Sequence, residues 1–252
     1  MPRYPVSRPR SSYVSSFSFG PGPVSTALKA LIAANVVLFI GQLIFPVLTQ
    51  VLGLHPAFVL KYFWAWELAT YMFLHGGIFH IVFNMLALWM FGAELERVWG
   101  TRYFLKFYFV TGIGAGVLTV AFALLPFGFT QALLRENIIG ASGAIYGLLL
   151  AYAMYFPDRP IYMYFVFPIP AKIFVAIIGA IAFLSSLSES SGVANATHLG
   201  GLLVAYLFLK GGRIHPLSEV KYRYLKWKIN RVRRKFDVHP GGRRDDWDRR
   251  VH

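Results

Sequence analysis

Ile139-Gly140-Ala141-Ser142-Gly143-Ala144-Ile145-Tyr146-Gly147 sets one hydroxyl among small residues at the start of a long apolar run. Such a run reads as a buried or membrane helix, which puts the serine at a helix entrance in a water-poor setting. Ala196-Thr197-His198-Leu199-Gly200-Gly201 repeats the arrangement for one histidine. A hydroxyl and an imidazole, each flanked by glycine inside hydrophobic sequence, decide how the other residues are read.

Of the 252 residues, 56% are hydrophobic and only 14% charged, and the mean hydropathy is +0.53. Soluble domains carry about 25% charged residues. The shortfall, together with several long apolar runs, predicts an all-α polytopic membrane protein. With no cysteine, disulfide frameworks, thiolate zinc sites and cysteine nucleophiles are excluded.

Six spans are expected: about 26–52, 77–95, 103–126, 141–156, 170–188 and 193–210. Residues 1–25, rich in Arg, Pro, Ser and Gly, read as a disordered cytoplasmic tail without a cleaved signal peptide. Residues 26–210 form the membrane domain. The connection 53–74 carries Tyr62, Phe63, Trp64, Trp66 and Tyr71, which suits the headgroup zone of a bilayer. Residues 211–252 form a basic tail in which Leu225, Ile229, Val232 and Phe236 recur at helical spacing among lysines and arginines, either as an amphipathic helix on the membrane or as a solvated tail.

Charge placement sets the orientation. The net charge is +14, and residues 210–252 hold 14 Lys/Arg against 5 Asp/Glu. With both termini inside, the outer loops keep only Lys61 and Arg135. The positive-inside rule therefore predicts a multi-pass protein of the cell membrane with cytoplasmic termini. A nucleic-acid partner is not expected, since no recognition motif accompanies the basic residues.

Polar side chains inside a bilayer are costly and mark function or helix contacts. The candidates are His80, Asn84, Ser142, Tyr146, Asn195 and His198. Gly143 and Gly147 beside the serine, and Gly201 and Ala205 beside the histidine, allow two helices to approach closely. Ser142 and His198 can then meet as nucleophile and general base. His80 and Asn84, at i and i+4, share one helix face and can donate to an oxyanion with the Ser142 backbone N–H. The plainer alternative for that pair is hydrogen bonding between helices. A metal site at His75, His80 and His198 lacks a His-Glu-x-x-His motif or a suitable carboxylate. No cofactor is expected, no span carries the paired aspartates of an aspartyl protease, and no internal repeat suggests a transporter.

These residues together resemble the rhomboid family of intramembrane serine proteases, in its bacterial six-helix form. The resemblance is carried by His80-x-x-x-Asn84, Gly140-Ala141-Ser142-Gly143, Tyr146 and the Ala-Thr-His-Leu-Gly-Gly around His198 and Gly201. It implies a six-transmembrane-helix bundle with an interfacial loop after the first helix and a water-filled cavity opening outward. It implies Ser142 as nucleophile, His198 as base, and His80, Asn84 and the Ser142 N–H as oxyanion groups. Tyr146 would stack beneath His198, residues near 185–197 would cap the cavity, and the fifth helix would move to admit transmembrane protein substrates. A polar turn is implied at Gly92–Gly100, with Glu96 structural. Trp66-Glu67 stands where the family commonly carries Trp-Arg, which leaves open how the loop is anchored. The rival is a proteolytically inactive relative that binds membrane clients, against which stands the retention of both Ser142 and His198.

Overall fold

The computed structural model describes residues 23–126, 130–131, 133–163, 167–186, 192–211 and 226. The expected amphipathic tail helix lies outside them. Contacts divide the chain into two units, Met1–Phe208 and Leu209–His252, and every contact described below lies within the first.

The chain is a polytopic all-α membrane protein, built from six apolar helical segments. The first is α1, Thr26–Ile44. Its N-cap is Ser25, placed in the tail by composition, whose Oγ accepts from the Leu28 N–H and donates to Glu96. The segment expected to run unbroken to residue 52 instead stops at Phe45-Pro46 and restarts as α2, Val47–Leu52. Proline lacks the N–H that a continuing helix needs.

The connection that follows is itself helical: α3, Pro56–Tyr62, and α4, Glu67–Thr70, which runs into a 3₁₀ turn at Tyr71–Phe73. Tyr62, Phe63 and Trp66 are exposed, but Tyr71, grouped with them as an interfacial aromatic, is fully buried. Its hydroxyl donates to the Gly112 carbonyl at 2.7 Å, so the ring is drawn inward by a backbone acceptor rather than held at a headgroup.

The second span joins α5, Ile78–Ala87, a π turn at Leu88–Gly92 and α6, Ala93–Trp99. The polar turn expected at residues 92–100 is thus mostly helix, and the chain reverses only at Gly100, where φ is +76°. Buried Glu96 accepts from Ser25 and Thr101 hydroxyls, both at 2.6 Å, tying α1 to the start of α7, Thr101–Ala123. The fourth segment, α8, is Ser142–Tyr155. Between the fourth and fifth segments comes a two-stranded antiparallel hairpin, β1 Pro160–Met163 with β2 Phe167–Pro170, in register Ile161 to Ile169. The last two segments are α9, Ala171–Ser186, and α10, Gly192–Gly211. Of the expected cap at 185–197, residues 192–197 are therefore helical and 187–191 lie outside the described residues.

By length and composition, Thr26–Ile44, Ile78–Trp99 and Thr101–Ala123 can cross a membrane, while α8 and α9 are shorter apolar helices. At 1.5 Å per residue, the 14 residues of α8 cover about 21 Å, less than the roughly 30 Å of hydrocarbon. With the charged Asp158 and Arg159 at the far end of α8 held at one membrane surface, a helix this short would start at membrane depth, and the extended chain entering it would need protein partners for its backbone. The connection after α1 provides them. Leu54 and Ile138 exchange two backbone hydrogen bonds of 2.9 Å, and the Gly140 N–H donates to the Tyr71 carbonyl at 2.9 Å. The Asn137 amide donates to the Thr49 carbonyl.

That connection is anchored by the residue that departs from the family pattern. Glu67 is fully buried and accepts from the His55 N–H at 2.9 Å, while its other oxygen meets His55 Nδ1 at 3.2 Å. Burial pushes its carboxyl above the usual carboxylate value of 4.5, outweighing the lowering from the His55 amide and ring. A raised value in the folded state means the protonated form is favoured by folding. Its contribution is therefore full below pH 4.5 and declines as pH rises through the folded-state value. The unfolding midpoint in detergent is expected to fall more steeply from pH 4.5 upward in the native chain than in Glu67→Gln, and parallel curves for the two would contradict this assignment.

Candidate active site

Ser142 is the first residue of α8, and His198 stands nearly two turns inside α10. Between them, His198 Nε2 lies 2.8 Å from Ser142 Oγ. The helices approach this closely because glycines face each other. A Cβ at Gly201 would collide with the Gly143 carbonyl, and one at Gly147 with Thr111 on α7. Beside His198, the Thr197 hydroxyl meets that of Thr119 at 3.0 Å and so pins α10 to α7.

The Tyr146 ring lies one turn along α8 and stacks on the His198 imidazole, with centroids 4.2 Å apart and planes within 4°. A neutral imidazole that accepts the serine proton on Nε2 carries its own proton on Nδ1. That Nδ1 is buried and has no hydrogen-bond partner among the described residues. The ring is held by stacking, and among the described residues no carboxylate meets its Nδ1.

His80 and Asn84 belong to α5. His80 Nδ1 accepts the Gly76 N–H at 3.2 Å, which leaves Nε2 as the protonated, donating nitrogen of the neutral ring. Gly140 has φ +131°, and a Cβ there would sit 2.9 Å from His80 Nε2 and 3.6 Å from Ser142 Oγ. Only a glycine keeps that space open between imidazole and hydroxyl. Asn84 is buried, and its amide donates to the His80 carbonyl at 2.7 Å. One amide hydrogen goes to its own helix and the second remains to donate elsewhere.

Three contributors had escaped the sequence. Gln42, on α1, grips the His75 backbone from both sides, its Oε1 accepting the N–H at 2.9 Å and its Nε2 donating to the carbonyl at 3.4 Å. A polar residue in an apolar span was the available signal. His75, weighed only as a metal ligand, is 2% exposed and packs edge-on against His80 with centroids 5.0 Å apart. Tyr71 gave no signal, because its partners Gly112 and Gly140 are distant in sequence.

A family model described as the Rhomboid domain matches residues 62–212. The chain belongs to the rhomboid family. Among rhomboid relatives, RHOMBOID-like protein 12, mitochondrial, of Arabidopsis thaliana is 31% identical over 146 residues, 55% of this chain and 44% of that protein. Rhomboid protease GluP of Bacillus subtilis (strain 168) is 34% identical over 140 residues, 55% of this chain and 24% of its own. Rhomboid protease AarA of Providencia stuartii is 30% identical over 155 residues, 56% and 54% of the two chains. The chain therefore spans about a quarter to about half the length of these curated relatives.

In chemical terms, a hydroxyl bonded to a neutral imidazole, with a second imidazole across a space that Gly140 keeps open, can run acyl transfer. The geometry hinges on the glycine contact between α8 and α10. Gly201→Ala is expected to push the helices apart and destabilise the fold by about 1–3 kcal/mol. Thermal unfolding in detergent reads this as a lowered midpoint, and an unchanged midpoint would show that the contact is not tight.

Proposed function

We propose that the chain is an intramembrane serine endopeptidase that cleaves transmembrane proteins near the outer membrane boundary. The observation that carries this reading is the 2.8 Å contact between His198 Nε2 and Ser142 Oγ, formed at membrane depth between two helices. The family membership and the relatives named as proteases support it.

Ser142 Oγ attacks the scissile carbonyl carbon while His198 Nε2 takes the hydroxyl proton. The negative charge that develops on the carbonyl oxygen is met by His80 Nε2–H, the free Asn84 amide hydrogen and the Ser142 backbone N–H at the positive end of α8. The tetrahedral intermediate collapses as His198 gives its proton to the leaving amine, and an acyl ester remains on Ser142. Water, deprotonated by His198, attacks that ester. The product acid departs and Ser142 regains its proton. The chemistry requires no metal or cofactor. Tyr146 holds the imidazole plane throughout, the task a third carboxylate performs in a triad.

Substrates of this site are transmembrane segments with a helix-destabilising stretch and a small residue before the cut, since a peptide must unwind to present its carbonyl to Ser142. The Lys/Arg distribution supports residence in the cell membrane with both termini cytoplasmic.

The test is cleavage of a model transmembrane substrate in liposomes. Ser142→Ala and His198→Ala are each expected to lower kcat by at least about 10³-fold, and Asn84→Ala by about 10²–10³-fold. A fluorophosphonate should label the native chain and neither dyad variant. Undiminished cleavage by Ser142→Ala would remove the nucleophile from this reading.

A further inference from the structure

Glu67 takes no part in the steps above, yet it is an acidic side chain with 0% exposure. The connection that carries it doubles back on itself. Its first arm, Gly53–His55, pairs with the chain entering the site through Leu54 and Ile138. Its second arm, Glu67–Tyr71, grips the same chain through the bond from the Gly140 N–H to the Tyr71 carbonyl. The two arms thus hold Asn137–Gly140 at two points, and the spacing between those points depends on what joins the arms.

Trp66 Nε1 donates to the Val51 carbonyl at 3.0 Å and Thr70 Oγ1 to that of Leu52 at 2.7 Å, both at the end of α2. Glu67 reaches past Leu54 to the next residue, where it takes both the His55 N–H and the ring nitrogen. Leu54 is therefore bracketed, by Thr70 on one side and Glu67 on the other. Glu67 is also one turn ahead of Tyr71, whose N–H donates to the Glu67 carbonyl. Its side chain fixes one grip and its backbone the other.

We propose that Glu67 is a positioning residue: by clasping His55 it sets both backbone grips on Asn137–Gly140, and through Gly140 it fixes how His80 and Ser142 Oγ face each other. The part of this that concerns rate rests on the proteolytic reading, while the clasp does not. The role requires an acceptor for the His55 N–H and a partner for the ring, which a glutamine can supply with its oxygen and its amide. Alanine supplies neither and leaves two buried polar groups unmet.

The experiment uses the full chain in detergent micelles, with hydrogen exchange read on peptides covering Asn137–Gly140 and fluorophosphonate labelling of Ser142 timed on the same samples. Glu67→Ala should speed exchange at Ile138 and Gly140 by about tenfold or more and slow labelling by about tenfold, the scale of one lost buried hydrogen bond. Glu67→Gln should restore both to within about threefold, a rescue that simple loss of packing does not produce. His55→Ala keeps the backbone bond and removes the ring contact, so it should shift both readouts less in the same direction, and it carries the test if Glu67→Ala does not fold. Unchanged exchange in the alanine variants, a glutamine variant as impaired as the alanine, or faster exchange with native labelling would each overturn the proposal. A native chain that fails to label would count against the proteolytic reading alone, with the exchange arm still deciding the clasp.

Discussion

A backbone amide at membrane depth has no water to bond, so every one must find a partner inside the protein. Helices meet this demand by themselves, but α8 is too short to span and its entering chain, Asn137–Gly140, is extended. The requirement falls on three backbone groups and one side chain, and the connection after α1 answers it through Thr49, Leu54 and Tyr71. Without those partners, Ser142 could not open a helix inside the membrane. It would have to stand at the surface, in water.

The same constraint explains why so much of that connection is buried. Tyr71 serves two masters, its carbonyl taking the Gly140 N–H and its hydroxyl reaching Gly112 on α7. Gln42 fixes the His75 backbone just before α5, and His75 packs against the His80 ring. The loop is thus a structural wall of the site. Its outward side, with Phe63 82% exposed, remains free for the bilayer interface.

On the opposite side of the site, close helix approach is the governing term. Gly143 and Gly201 let α8 and α10 come near enough for a hydroxyl and an imidazole to bond directly. Stacking on Tyr146 then orients a ring whose Nδ1 has no acceptor among the described residues. A planar contact of this kind restricts rotation without adding a charge to a low-dielectric interior, where an extra carboxylate would be expensive.

Helical periodicity and apolar length were local properties, and they determined the six segments, the placement of Ser142 at a helix start and the sharing of one face by His80 and Asn84. The glycines beside Ser142 and His198 were legible for the same reason, since a missing Cβ is visible wherever it occurs. Helix limits were less so: Pro46 split the first span, and the hairpin at 160–170 depends on pairing across residues that no window compares. Tertiary structure alone decided that His198 Nε2 meets Ser142 Oγ across 56 positions, that Tyr71 turns inward, and that Glu67 finds His55. Each is a hydrogen bond between groups distant in sequence, and the direction a polar side chain takes at such a site depends on which partner the fold brings within 3 Å or so of it.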